Sequence, residues 1–392
     1  MLNGPFSPWP DYDDAEKQAV LDVISSNKVN YWTGQKGREF ERKFAEFSDS
    51  EFAIAVTNGT VALDLAWQAL DMPVGSEVIV TSRTFIASIS SIVLAGLTPV
   101  FADIDLDTQN VSAHTIQECI TDNTKAILCV HLAGWPCEMD EILTLANEHE
   151  LFVVEDCAQA HGAQYKGKSM GSFGDISAWS FCQDKIMTTA GEGGMVTTNN
   201  KVYWERMWSF KDHGKSWSAI YEKEHPPGFR WLHESFGTNW RMTEIQSAVG
   251  LQQLEKMPKW RTIRANYAEK IFATARDFEA LRVPKIPKHI QHAFYKCYIF
   301  VETSQLNEGW SRDRIIDEIS MRQVPCFSGS CSEVYREKAF DNTTFRPEKP
   351  LVNAITLGET SLMFLVHPTL SEIEVNKCCE VLAQVMTIAS RK

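Results

Sequence analysis

Between Glu51 and Phe210 the sequence alternates short apolar runs with amphipathic stretches, and nothing else in it restricts the fold as strongly. The runs Glu77–Val80, Pro99–Asp103, Lys125–Val130, Leu151–Glu155, Asp175–Phe181 and Gly194–Thr198 are rich in Val, Ile and Phe, which suit a pleated, buried surface. Between them, Leu63, Trp67 and Leu70 recur at i, i+4, i+7, and Ile142, Leu145 and Ala146 at i, i+3, i+4, the spacing of one helix face. Ser112 predicts the cap of a further helix through Cys119. Strands that alternate with helices imply crossover connections, hence a mostly parallel sheet wrapped by helices: an α/β fold. In such sheets a ligand sits beyond the carboxyl ends of the strands.

The flanking segments read differently. Asp13–Asn27 and Lys36–Phe47 predict two helices, the second presenting Phe40, Phe44 and Phe47 on one core-facing side. Lys211–Asn239 is rich in His, Gly, Pro and Trp, has no period, and is too long for an idle connection. A helix is expected over Met242–Leu254, with Pro258 marking a hinge. Beyond Pro284, strands at Lys296–Phe300 and Ser361–Val366 and a capped helix over Ser311–Arg322 suggest a smaller α+β unit. Ser371 opens the last helix with a capping box. The expected division is a large domain over residues 1–255 and a small one over 256–392.

A net charge of −13 repels phosphate backbones and argues against nucleic acid or an anionic membrane as a partner. No run approaches the roughly 18 apolar residues of a membrane span, and the amino terminus lacks a signal pattern, so a cytoplasmic protein is expected. The ten cysteines form no CxxC pair and have no zinc-ligand spacing. Reduced thiols and no metal are expected.

Chemistry concentrates in one stretch. Leu151–Glu155 empties into Asp156, Gln159 and His161, and Asp175–Phe181 runs through Ser180 to Lys185, Thr188, Thr189 and the turn Gly191-Glu192-Gly193-Gly194. Upstream, Asn58-Gly59-Thr60 precedes a helix, either as an ordinary cap or as a seat whose first amides and dipole hold a phosphate, and Phe85 either packs in the core or stacks on a ring. A lysine, a carboxylate and hydroxyls at strand ends are what a pyridoxal phosphate site needs. The amine forms a Schiff base, the carboxylate meets the pyridinium nitrogen, and hydroxyls and backbone N–H groups hold the phosphate.

Taken in order, these motifs resemble the pyridoxal-phosphate-dependent, fold-type-I sugar aminotransferases of the DegT/StrS family. The matching wording includes Glu155-Asp156-Cys157-Ala158-Gln159-Ala160-His161-Gly162, Ser172-Phe173-Gly174-Asp175, Asn239-Trp240-Arg241-Met242-Thr243-Glu244 and the late His367-Pro368. The resemblance implies Lys185 as the Schiff-base lysine and proton carrier, and Asp156 at the ring nitrogen. Gln159 would lie near the phenolic oxygen, with Phe85 stacked on the ring. Gly59, Thr60 and Ser180 would hold the phosphate, and Asn239 would reach the phosphate of a neighbouring subunit in a homodimer. It further implies glutamate as amino donor and a sugar carbonyl as acceptor, with His213, Lys215, Arg230 and Arg241 as substrate contacts. Keeping Lys185 favours amination over the dehydratase chemistry of relatives with histidine there, and over a non-catalytic regulator. Ala190 stands where many relatives have glycine. The Ser-Phe-Cys-Gln-Asp-Lys wording and the long His-Pro-Pro-Gly-Phe-Arg-Trp-Leu-His loop resemble a subgroup that aminates the C8 aldehyde of an oxidised 3-deoxy-manno-octulosonate. Its product, 8-amino-3,8-dideoxy-manno-octulosonate, is a lipopolysaccharide sugar. The expected alternative acceptor is a nucleotide-linked 4-keto-6-deoxyhexose.

Overall fold

The computed structural model describes residues 4–391. Residues 1–3 and 392, the outer ends of the two expected domains, lie outside that range. Seven strands form the large sheet: β1 (Phe52–Val56), β2 (Glu77–Thr81), β3 (Thr98–Ala102), β4 (Thr124–Val130), β5 (Phe152–Asp156), and, after a hairpin of β6 (Gln164–Tyr165) and β7 (Lys168–Ser169), β8 (Ile176–Ser180) and β9 (Gly194–Thr198). Their order is β1-β9-β8-β5-β4-β2-β3, and only β9 runs against its neighbours. The expected runs are thus strands. The sequence reading missed β1, whose alternating alanines dilute the β-branched signal.

Both faces of the sheet are buried, so residues alternate between two cores. Ala53, Ala55, Ile79, Ile127 and Cys129 face one, and Ile54, Val56, Val78, Val80, Ala126 and Leu128 the other. The first face is covered by α2 (Lys36–Phe47), with α1 (Asp14–Ser25) outside it. Phe40 and Phe44 of α2 are fully buried and pack on Phe181, while Phe47 is only partly buried. Burying each such ring contributes about 1.5–3 kcal/mol. The second face carries α3 (Gly59–Leu70), α4 (Ala87–Leu94) and α7 (Lys201–Phe210). Two further helices, α5 (Ala113–Gln117) and α6 (Met139–Glu148), complete the crossovers; Ser112 caps α5 as expected. All ten cysteines are free.

The long aperiodic segment holds one short helix, α8 (Trp217–Tyr221), and is closed by backbone bridges from Asp212 to Asn239 and from Lys215 to His233. After it, the expected helix is much longer than its apolar pattern suggested: α9 spans Glu244–Ala275 and passes through Pro258 without ending. Proline there leaves one carbonyl of the preceding turn without its partner, yet flanking packing holds the helix together. Leu251, Leu254, Met257 and Trp260 belong to the large-domain core, whereas Tyr267, Ala268, Ile271 and Phe272 belong to the second. The helix is therefore unbroken at Pro258, where a hinge was expected, and it contributes residues to both cores.

The second core lies under a four-stranded antiparallel sheet in the order β10-β12-β14-β13, built from β10 (Leu281–Arg282), β12 (Cys297–Val301), β13 (Cys326–Phe327) and β14 (Ser361–Phe364). Strand β11 (Ile290–Gln291) instead pairs with β6. Helices α10 (Arg312–Met321), α11 (Val352–Thr360) and α12 (Glu372–Ala389) pack around it, and α12 carries the expected Ser371 capping box. Phe6, from the amino-terminal arm, also packs into this core.

Candidate active site

Sheet register assembles the floor of the site. Val56 pairs with Gly194, Gly194 with Ser180, Ala178 with Asp156, and Asp156 with Val130, so the ends of β1, β8, β5 and β4 and the start of β9, between β1 and β8, form one edge. A side chain on Gly59 would meet Ser180 Cβ at 2.6 Å, and one on Gly194 would meet the Asn58 carbonyl at 2.4 Å. The absence of both is what lets the amino end of α3 press against Ser180. The Asn58 side chain accepts from Val61 N–H at 2.9 Å. The amides of Gly59 and Thr60 are then left as free donors with the helix dipole behind them, a seat for phosphate.

Asp156 is 7% exposed. One carboxylate oxygen accepts from Ser88 Oγ at 2.8 Å and the other from Ala158 N–H at 3.1 Å, and Thr84 Oγ1 lies 2.9 Å from the Ser88 hydroxyl. Its neighbour Glu155 points the other way. Fully buried, it accepts from the N–H groups of Gly171, Phe173 and Gly174, from Ser177 Oγ, and meets His131 Nε2 at 3.0 Å. Burial alone would raise its pKa, but His131 and those amides hold it below the usual value. The Ser172-Phe173-Gly174-Asp175 motif therefore serves architecture. His131 Nδ1 accepts from Cys137 N–H at 3.1 Å, so both ring nitrogens of this histidine, which lies with Cys157 beside Glu155, are engaged by protein groups. Gln159 accepts from Ala133 N–H at 2.7 Å through its oxygen, which leaves its NH2 to donate.

Lys185 sits in a tied-down loop. Its N–H donates to Cys182 O at 3.0 Å, and its carbonyl accepts from the Trp9 indole at 2.8 Å. Thr188 Oγ1 donates to Phe181 O and Thr188 N–H to Gln253. Ala190 adopts φ 63°, the left-handed region that favours glycine. The Lys185 side chain is 16% exposed, and its ammonium is 3.9 Å from Asp184 and 5.2 Å from the Tyr295 ring centre. The Tyr295 hydroxyl donates to Asp184. His161, beneath the loop, packs on Trp179 and Phe181, and burial holds its pKa down at about 3.

The four expected substrate contacts divide. His213 and Arg230 are exposed, as is Asn239. Lys215 and Arg241 both pair with buried Asp212, which also accepts from the Trp32 indole at 2.8 Å. Phe85 is 70% exposed. Residues that carried no motif also gather here: Trp9, Ser88, Arg264, Tyr295 and Lys296. Only a run of tertiary contacts brings them in, and no spacing in the sequence signals them.

The chain's own geometry fits pyridoxal phosphate: a close-packed seat with free amides, an oriented carboxylate and a lysine held in a fixed turn. When bound, that cofactor supplies an electron sink for the carbon bearing the amine. The layout is that of a fold-type-I aminotransferase. Comparison carries the assignment further. Residues 10–383 match the DegT/DnrJ/EryC1/StrS aminotransferase family, and the chain belongs to it. GDP-perosamine synthase of Escherichia coli O157:H7 is 37% identical over 378 residues, 95% of each chain. The crystal structure of an aminotransferase from Psychrobacter cryohalolentis is 58% identical with a TM-score of 0.96, covering 98% of this chain and 99% of that one. A protein described as a sugar aminotransferase from Streptococcus pneumoniae, solved in its PMP form, is 26% identical with a TM-score of 0.87, covering 98% and 99%. The chain is a pyridoxal-phosphate-dependent sugar aminotransferase.

Proposed function

We propose that the enzyme transfers the amino group of glutamate to the keto carbon of a nucleotide-linked 4-keto-6-deoxyhexose. The identity to GDP-perosamine synthase across 95% of both chains carries the sugar class. The octulosonate aldehyde suggested by the loop wording has less support, because the relative whose name states a product, GDP-perosamine synthase, makes a nucleotide-linked amino sugar. It is kept as the second reading, as an acidic lipopolysaccharide sugar, because Arg264 and Lys296, near Lys185, form no ion pair among the described residues.

In this reading Lys185 would hold the cofactor's aldehyde carbon and would carry the proton to and from the carbon bearing the amine. Asp156, oriented by Ser88 and Ala158 N–H, would meet the ring nitrogen and favour its protonated form. Gly59, Thr60 and Ser180 would hold the phosphate, the Gln159 NH2 would donate to the phenolic oxygen, and Phe85 would stack on the ring. Asn239 acts on the phosphate of a second copy in a cytoplasmic homodimer. The exposed aromatics Phe229, Trp231 and Phe236 support such a partner, since a patch of this kind is costly to leave in water. His213 and Arg230 are free to meet the sugar nucleotide, and Lys215 and Arg241 shape that loop through Asp212.

The test supplies glutamate with GDP-, dTDP- and UDP-linked 4-keto-6-deoxyhexoses, or with the oxidised octulosonate, and follows release of 2-oxoglutarate. A kcat/KM about 100-fold or more higher on a nucleotide-linked sugar is expected. Turnover of the octulosonate alone would reverse the ranking.

A further inference from the structure

Tyr295 is a meeting point for charge. Its ring centre lies 5.2 Å from Lys185 Nζ and 4.7 Å from Lys296 Nζ, its hydroxyl donates to Asp184, and its carbonyl is 3.5 Å from Arg264 Nη1. Three cations thus converge on a region with one carboxylate. Arg264 is 2% exposed. Its guanidinium lies 5.1 Å from the Trp9 ring, its Nη1 makes only long contacts to the carbonyls of Phe294 and Tyr295, and its Nε and Nη2 have no hydrogen-bond partner among the described residues. Lys296 forms no ion pair with any described carboxylate. Burial lowers Arg264 to about 9 and Lys296 to about 8, with Asp184 opposing the latter shift.

A buried guanidinium with two idle nitrogens costs several kcal/mol unless something satisfies it. The chain spends its carboxylates elsewhere, on Lys211, Lys215, Arg241 and Lys256. We infer that Arg264 and Lys296, beside Lys185 at Tyr295, form a carboxylate-binding site for the substrate. The position suits the chemistry. Lys185 must reach the carbon bearing the amine, and in an α-amino acid the carboxylate is attached to that same carbon. An octulosonate carries its carboxylate at C1, seven carbons from the C8 aldehyde, so the amino donor fits this position better. The inference rests on the transaminase reading and names what its site grips.

The holoenzyme is titrated with glutarate, a dicarboxylate with no amine to transfer, by calorimetry. Lys296→Met should bind glutarate about 10- to 100-fold more weakly, the loss expected for one charge-assisted hydrogen bond, with an unchanged Tm. Lys296→Arg should restore affinity. Wild-type affinity should fall above about pH 8 as the ammonium loses its proton among Asp184, Lys185, Arg264, Tyr295 and His367, and Lys296→Arg should hold it to higher pH. The source of the carboxylate follows from two further titrations of Lys296→Met. Weaker glutamate binding, read from the cofactor's visible band, assigns the site to the donor; a raised KM confined to an aldehyde sugar acid assigns it to the acceptor. Equal affinity of wild type and Lys296→Met for glutarate, glutamate and the sugar acid overturns the inference. A wild-type visible band that ignores glutamate altogether overturns the transaminase reading instead, whatever glutarate does.

Discussion

Two basic regions flank the same site and are built on opposite terms. In the segment after α7, Lys211 pairs with Glu41 at 3.2 Å, and Lys215 and Arg241 converge on Asp212, whose side chain is fully buried. Across the loop of Lys185, Arg264 and Lys296 form no ion pair among the described residues. The first region spends its charges on holding a loop in shape; the second keeps them in reserve. Side-chain chemistry alone would rank the two alike, and the partners decide which one can grip a ligand.

The contrast breaks most visibly at Asp212. Asp212→Asn leaves Lys215 and Arg241 facing each other without a counter-charge, and the expected loss is about 3–5 kcal/mol by denaturant unfolding, with glutarate affinity unchanged. A loss of glutarate affinity there would merge the two regions into one. A smaller effect concerns the histidines on the second side. His161, His292 and His367 are each depressed to about 3, by burial first, with nearby cations also acting on His161 and His367. Their folded pKa values lie below the unfolded value, so their share of stability is present above about pH 6.5 and is lost as pH falls towards 3. In His161→Phe, which sacrifices no hydrogen bond to a described residue, the slope of unfolding free energy between pH 4 and 6 should shrink by about 1.4 kcal/mol per pH unit. An unchanged slope would show that this side does not exclude protons. The smallest effect is expected at the loop both regions enclose. Ala190→Gly relieves a left-handed alanine and should stabilise by about 1 kcal/mol in thermal unfolding, without altering turnover.

The fold was legible because its signals are local. Apolar runs such as Lys125–Val130 are strands on their own evidence, and Ser371 with Glu374 caps a helix whatever surrounds it. Helix α9 was cut short because Pro258 is a strong local stop signal, and only packing on two cores overrides it. In the site, Asp156, Ser180 and Lys185 stand out because strand ends and glycine turns bracket them. The sequence singled out Asp156 but assigned no duty to its neighbour Glu155, whose role in holding the Ser172–Asp175 turn emerges only once strand alternation turns it into the core. Arg264 and Lys296 carry no signal at all: each is an unremarkable cation on a helix or at the start of a strand until Tyr295 brings them together.

The Trp9 indole has a consequence for how the enzyme comes into being. It holds the carbonyl of Lys185, lies over Arg264 and stacks on His367 at 5.9 Å. The clasp on the reactive lysine therefore joins segments far apart in sequence, Trp9 on one side and His367 on the other. Contacts so distant in sequence form late and slowly. The lysine loop is thereby held in its final shape only after the long-range packing of the molecule is in place.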